Sequence, residues 1–137
     1  MKSAVWPVTL FMCGYLIATV VGFATFFISE TLMWVSIFTA MPVVFGLLAY
    51  VYLVRIGCGV SDARKRMVGL ILFWIALSFA LDALTYIGII PAVSGGHANW
   101  RFFIDQSPWI WLSYMALIAS GVAAVFVFER RRASPRG

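Results

Sequence analysis

The sequence predicts an all-α protein, an integral membrane four-helix bundle with the N-terminus and the C-terminus both cytoplasmic. Three observations carry that prediction. Of 137 residues, 64% are hydrophobic and only 11% charged, where a soluble domain carries about 25% charged residues. Four apolar stretches are each long enough, as helices, to cross a hydrocarbon core of about 30 Å. All basic residues except Arg101 stand beside span ends that an up-and-down path places on one side, as the positive-inside rule requires of cytoplasmic segments. A single membrane domain, 1–137, uses nearly the whole chain. The net charge of +5 is thus a topology signal with some pull on anionic headgroups rather than a nucleic-acid footprint. The implied location is the cell inner (plasma) membrane, crossed several times.

The first span is 5–28. Lys2 and the apolar run behind it resemble a signal peptide, but the run is too long for one and no small-residue cleavage pattern follows, so an uncleaved helix is expected. Gly14, Ala18 and Gly22 recur every four residues, with Thr25 and Ser29 continuing that face. Small residues at this spacing let a second helix come close, either within the bundle or in a homodimer. Ser29-Glu30-Thr31-Leu32 reads as a tight connection. The second span is 33–54, with Trp34 at headgroup level. Pro42 interrupts it, as a fixed bend or as a hinge. Thr39, Pro42, Gly46, Ala49 and Tyr50 share a face. Arg55 to Arg66 is a basic loop, marked as a turn by Gly57, Gly59 and Ser61-Asp62.

The third span, 67–90, organises the rest. Arg64, Lys65 and Arg66 bound it at one end and Pro91 at the other. A step of 100° per residue gathers Ile71, Trp74, Ile75, Ser78, Asp82, Thr85 and Tyr86 on one face. A carboxylate facing lipid costs roughly 2.5 kcal/mol or more, so Asp82 is expected to face other helices or a watery cavity. Ser78 and Thr85, a turn to either side, are its expected hydrogen-bond donors. Two readings of Asp82 stand side by side: a proton, cation or ligand site, or a structural acid bonded to a neighbouring helix.

The outer loop, 91–108, holds Ser94-Gly95-Gly96, then Trp100, Phe102 and Phe103 with an Arg101–Asp105 pair at i, i+4 spacing. A short helix lying in the interface is expected there. The lone histidine, His97, has no clustered acid or cysteine, so no metal is expected, and no cofactor. The fourth span is 109–128, capped by Ser107 with Pro108 in its first turn. Ser113, Ala116, Leu117, Ser120, Gly121 and Ala124 should meet the bundle; Met115, Ile118, Val122, Val125 and Phe126 should meet lipid. Glu129-Arg130-Arg131-Arg132 ends it, and 133–137 is expected to be a loose tail. Cys13 falls inside a span and Cys58 in the basic loop, so no disulfide is expected.

With spans alternating in direction, Thr25, Ser29 and Glu30, then Ser36 and Thr39, then Ser78, Asp82 and Thr85, and finally Ser113 all fall in the outer half. The expected binding set is Asp82, Ser78, Thr85, Thr39, Ser113 and Glu30, cupped toward the outside under the loop 91–108. The inner half offers Gly14, Gly46, Ser120 and Gly121, which suit close packing. The expected helix-packing set is Gly14, Ala18, Gly22, Gly46 and Gly121.

Gly14-Tyr15-Leu16-Ile17-Ala18-Thr19, Leu81-Asp82-Ala83, Pro91 and Trp109-Ile110-Trp111-Leu112-Ser113-Tyr114 resemble segments of a family of small four-helix bacterial membrane proteins classed as a domain of unknown function. Ile89-Ile90 stands where that family has an aromatic pair. The resemblance implies four helices and a membrane location, and no activity. From the residues themselves, the first expectation is a non-enzymatic binding or assembly module whose partners are the lipid bilayer and a second copy or a larger membrane protein. The alternative is a small transporter using Asp82 as a proton or cation site. Membrane enzyme ranks last, because the chain has no clustered His or Cys site, carboxylate pair or serine–base pair inside a span.

Overall fold

The structure, a computed structural model, describes residues 5–133; Lys2 and the tail residues 134–137 lie outside the described residues. All regular structure among them is helical. Four helices are long and apolar enough to cross a membrane: α1 (Val5–Phe26), α2 (Glu30–Ile56), α3 (Val60–Val93) and, after the one-turn α4 (Phe102–Asp105), α5 (Trp109–Ala133). Ala133, expected in the tail, is the last residue of α5.

The helices run further than hydropathy alone suggests. Ser29 is not a loop residue but the N-cap of α2. Its backbone is extended and its hydroxyl accepts the Leu32 N–H at 3.1 Å. Glu30 follows in the first turn, where the helix dipole favours an acid. At the other end Gly57 closes α2 at φ 61°, its N–H bonded to the Val54 carbonyl. That left-handed conformation is one a side chain would resist. The expected basic loop shrinks to the few residues around Gly57, because α3 starts at Val60 and carries Arg64, Lys65 and Arg66 in its first turns. Cys58 is tucked into the core, its thiol toward the Leu53 carbonyl.

Pro91 does not stop α3 either. After Asp82 the helix widens into a π segment, Ala83–Ile89, where the Ile90 N–H reaches back five residues to Thr85, and a final α turn runs to Val93. Pro91 has no N–H for the Ile87 carbonyl, and the Asn99 N–H bonds that carbonyl instead, at 3.1 Å. The loop is thereby folded back over the helix end. The first turn of α5 is not capped by the Ser107 hydroxyl: the Ile110 N–H bonds to the Gln106 carbonyl and the Leu112 N–H to that of Pro108.

α1 and α3 run parallel. The Trp74 indole donates to the Pro7 carbonyl and the Tyr15 hydroxyl to Asp82, each at 2.9 Å and each across 67 residues of sequence. That common offset sets Tyr15, midway along α1, level with Asp82. α2 and α5 lie beside one another, α2 also against α1 and α5 against α3, so the order around the bundle is α1, α2, α5, α3.

The core is densest on the basic side of Asp82. Phe11, Phe45 and Trp74 are wholly buried, with ring centroids 5.6 to 6.3 Å apart. Glycines set the helix separations. A Cβ on Gly14 would stand 2.8 Å from the Phe45 ring, and one on Gly121 would stand 2.6 Å from Ile71. Gly22 faces Ile37 of α2 and Gly46 faces the Ser120 carbonyl of α5, both with more room, and Ala18 packs at the edge of the same core. The small-residue face of α1 is therefore covered by α2 of the same chain. On α5 the expected inward face is buried apart from the partly covered Ala116, while Met115, Ile118, Val122 and Phe126 are exposed. Val20, Val43, Leu47 and Leu72 continue that apolar exterior around the molecule.

The basic turn and the far end of α5 share one end of the bundle. There Arg64 bonds Glu129 through two nitrogens at 2.8 and 2.9 Å. Arg55 lies over Trp6, Arg131 over Tyr50 and Arg132 over Phe128. Glu129 lies just beyond the apolar stretch 109–128, and the hydrogen bond from Arg64 holds its carboxyl below the ordinary glutamate range.

Candidate functional site

Asp82 is the last residue of the regular part of α3, just before the π segment, and only 8% of it is exposed. Both carboxyl oxygens are bonded. The Tyr15 hydroxyl of α1 donates to Oδ1 and the Tyr114 hydroxyl of α5 donates to Oδ2, each at 2.9 Å. Three helices are tied at one carboxyl group. The phenols are themselves held in place: Tyr15 stacks on Phe11 with centroids 5.6 Å apart, and Tyr114 meets the Trp111 ring edge-on at 5.9 Å.

A magnitude helps to separate the two readings of this acid. A hydrogen bond to a charged group contributes about 1.5 to 3 kcal/mol. A carboxylate at the centre of a span costs roughly 2.5 to 3.5 kcal/mol. Two phenols therefore offset a cost of that size, and the brace alone accounts for an acid at this position. A site for something else needs a further feature, which is the space beside it.

A cavity of about 420 Å³ opens on Asp82. Tyr15, Ser78, Tyr86, Ser113 and Tyr114 surround the acid at its polar end. Phe23 and Phe26 of α1 and Trp34, Ile37 and Met41 of α2 form apolar walls. Pro91, Asn99, Phe102 and Gln106, from the end of α3 and the connection to α5, border it on the side away from the basic end. The connection is pinned by stacked rings: Phe102 lies on Tyr86 at 4.7 Å and Phe103 on Phe79 at 4.6 Å. Arg101 and Asp105 face one another at 3.7 Å, the expected i, i+4 pair. With each carboxylate oxygen accepting one phenol, each keeps a lone pair for a further donor. The aromatic lining beside the acid, from Tyr15, Tyr86, Phe102 and Tyr114, suits a cation or a flat apolar group.

The expected binding set divides. Asp82, Ser78 and Ser113 border the cavity, although the Ser113 hydroxyl donates to its own helix at the Ile110 carbonyl, 2.7 Å away. Thr85, Thr39 and Glu30 do not border it. Of the residues one turn after Asp82, in the π segment, Tyr86 lines the cavity and Thr85 does not. Thr39 is exposed and donates to the Val35 carbonyl of its own helix. Glu30 is exposed in the first turn of α2. Thr25 donates to the Val21 carbonyl of α1. The register of α1 against α3 puts Thr25, and Ser29 beyond it, roughly 15 Å or more past Asp82 along the axis. The donors to Asp82 are thus Tyr15 and Tyr114, neither of them expected. One signal pointed to the first: Tyr15, Ala18 and Gly22 lie on one helical stripe at i, i+3 and i+7. His97 is exposed in the loop, and among the described residues no three His, Cys, Asp or Glu side chains group as a metal site.

Compared with protein-family models, curated proteins and solved structures, the chain matches none, so fold and site are read from this molecule alone.

Proposed function

We propose that this is a four-span membrane protein that binds, without transforming it, a small organic cation with an apolar body. The cation sits in the cavity beside Asp82. The single observation behind this reading is the 420 Å³ space that borders a carboxyl group already held by Tyr15 and Tyr114. A cation there gains from the carboxylate and from the ring faces together, while Phe23, Ile37 and Met41 suit its apolar body. The bilayer setting is supported by the four long apolar helices and by an exterior of Val20, Val43, Leu72 and Val122 around the bundle. Clustering of the basic residues at one end supports a cytoplasmic basic end and a cavity near the opposite face. On the basic side of Asp82 the space between helices is filled by Phe11, Phe45, Trp74 and Leu117. That filling favours binding over passage through the bundle.

The test is a titration of the purified protein, followed by tryptophan fluorescence, with benzyltrimethylammonium and with its neutral isostere neopentylbenzene. The cation is expected to bind at least about ten-fold tighter than the isostere, and Asp82→Asn to remove most of that difference. Equal binding of the two probes, or an Asp82→Asn protein that keeps the preference, contradicts the proposal.

A further inference from the structure

A second cavity, of about 430 Å³, lies between α3 and α5 on the basic side of the bundle and is distinct from the one beside Asp82. It runs from Arg64 and Glu129 at one end to Ile75 and Ile118 at the other. At helical rise that is about 16 Å, close to half of a hydrocarbon core of roughly 30 Å. Val68, Leu72, Val122 and Phe126 form its rim, and all four are exposed on the outside of the bundle. It is a groove open to the surroundings rather than a hole in the core. The groove has a charged end and an apolar remainder. Glu129 engages Nε and one terminal nitrogen of Arg64. The Arg64 side chain is nevertheless 76% exposed, and its other terminal nitrogen makes no bond to Glu129. Helical spacing brings Lys65 and Arg130, both exposed, to the same end, one turn from Val68 and Phe126 respectively.

We infer that this groove holds one acyl chain of an anionic phospholipid from the leaflet at the basic end. The chain lies along Val68, Leu72, Val122 and Phe126, and the phosphate rests against Arg64, Lys65 and Arg130. The length of the groove fits a chain that reaches the bilayer midplane and stops. The apolar walls fit the chain, and the three cations at one end outweigh Glu129 and fit the headgroup.

The experiment offers the delipidated protein, in a non-ionic detergent, an equimolar mixture of phosphatidylglycerol and phosphatidylcholine with identical chains. Retained lipids are counted by native mass spectrometry. The wild type is expected to keep one phosphatidylglycerol, at about ten-fold preference over phosphatidylcholine. Val122→Trp, which fills the groove from its exposed rim, is expected to lose that lipid; Ile118→Trp serves if the first variant does not accumulate. Arg64→Gln is expected to lower the preference without emptying the groove. Leu47→Trp, on the exposed face of α2, is expected to change nothing. Equal retention of both lipids by the wild type, or undiminished phosphatidylglycerol on the groove-filled variant, overturns the inference. The groove depends on the proposed bilayer setting, which alkaline washing of membranes checks separately. A wild type released by that wash sinks both readings, whereas a retained wild type without lipid preference sinks only the groove.

Discussion

On the basic side of Asp82, glycines stand where helices cross and large rings fill what is left. On the other side, the large rings line a space instead of filling it. Gly14 against Phe45 and Gly121 against Ile71 draw α1, α2, α3 and α5 together around Phe11 and Trp74. Past Asp82, α3 widens into its π segment, and Phe102 packs on Tyr86 at the border of the cavity. The two halves differ in whether small residues face large ones across the helix contacts, and that difference decides which half has a filled interior and which has a cavity between all four helices, the groove between α3 and α5 lying on the outside of the filled half.

The comparison can be broken most forcefully by emptying each half in turn. Trp74→Ala removes a wholly buried indole and its bond to Pro7, and about 3 kcal/mol or more of stability should go with it. Phe102→Ala removes a ring that borders existing space, and a smaller loss than that of Trp74→Ala is expected. Unfolding in detergent, followed by circular dichroism against added sodium dodecyl sulfate, measures both. Equal losses would mean that the halves are equally packed.

Overfilling gives a smaller effect. Gly121→Ala should cost about 1 to 3 kcal/mol, because its Cβ meets Ile71. Gly22→Ala meets only the end of Ile37 at ordinary contact distance and should change stability by less than about 0.5 kcal/mol. The same denaturation curves report the two, and the reverse order would refute the assignment of close helix contacts.

The brace should give the smallest change in stability and the most specific signature. Tyr15→Phe and Tyr114→Phe are each expected to cost about 1 kcal/mol through the lost hydrogen bond to Asp82. Repeated in an Asp82→Asn background, each loss should shrink, because the partner charge is already gone. A double-mutant cycle showing plain additivity would mean that the phenols do not act on the carboxyl group.

Much of this architecture is legible in the residues. Length and hydropathy mark four helices. The spacing of Ser113, Leu117, Ser120, Gly121 and Ala124 marks the buried face of α5, and the helical step marks Ile71, Trp74, Ser78 and Asp82 as inward. The site is only partly legible, for two physical reasons. Apolar helices slide past one another without any change in hydropathy, so the stripe of Tyr15, Ala18 and Gly22 marks an inward face of α1 but not the level at which it meets Asp82. That register is carried by the Trp74–Pro7 bond and by the contact of the Phe11 and Trp74 rings. The π segment after Asp82 is the second reason. Pro91 reads as a terminator, yet the helix runs on to Val93 with the Asn99 N–H on the Ile87 carbonyl, and it is Tyr86 rather than Thr85 that lines the cavity. Ser29 and Glu30 read as loop for a simpler reason, since a capped first turn has the same composition as a short loop.

The most direct measurement compares two buried serines, one in each half. In a background with Cys13→Ala and Cys58→Ala, Ser78→Cys places a thiol beside the cavity and Ser120→Cys places one in the packed half. The native serines are 4% and 2% exposed. The reagent is a trimethylammonium-ethyl methanethiosulfonate applied to membranes. Modification is expected at position 78, slowed by benzyltrimethylammonium and by Asp82→Asn, while position 120 stays unmodified. Equal reactivity at the two positions, or modification at 78 that neither the competing cation nor the loss of the carboxylate slows, would contradict a cation cavity beside Asp82.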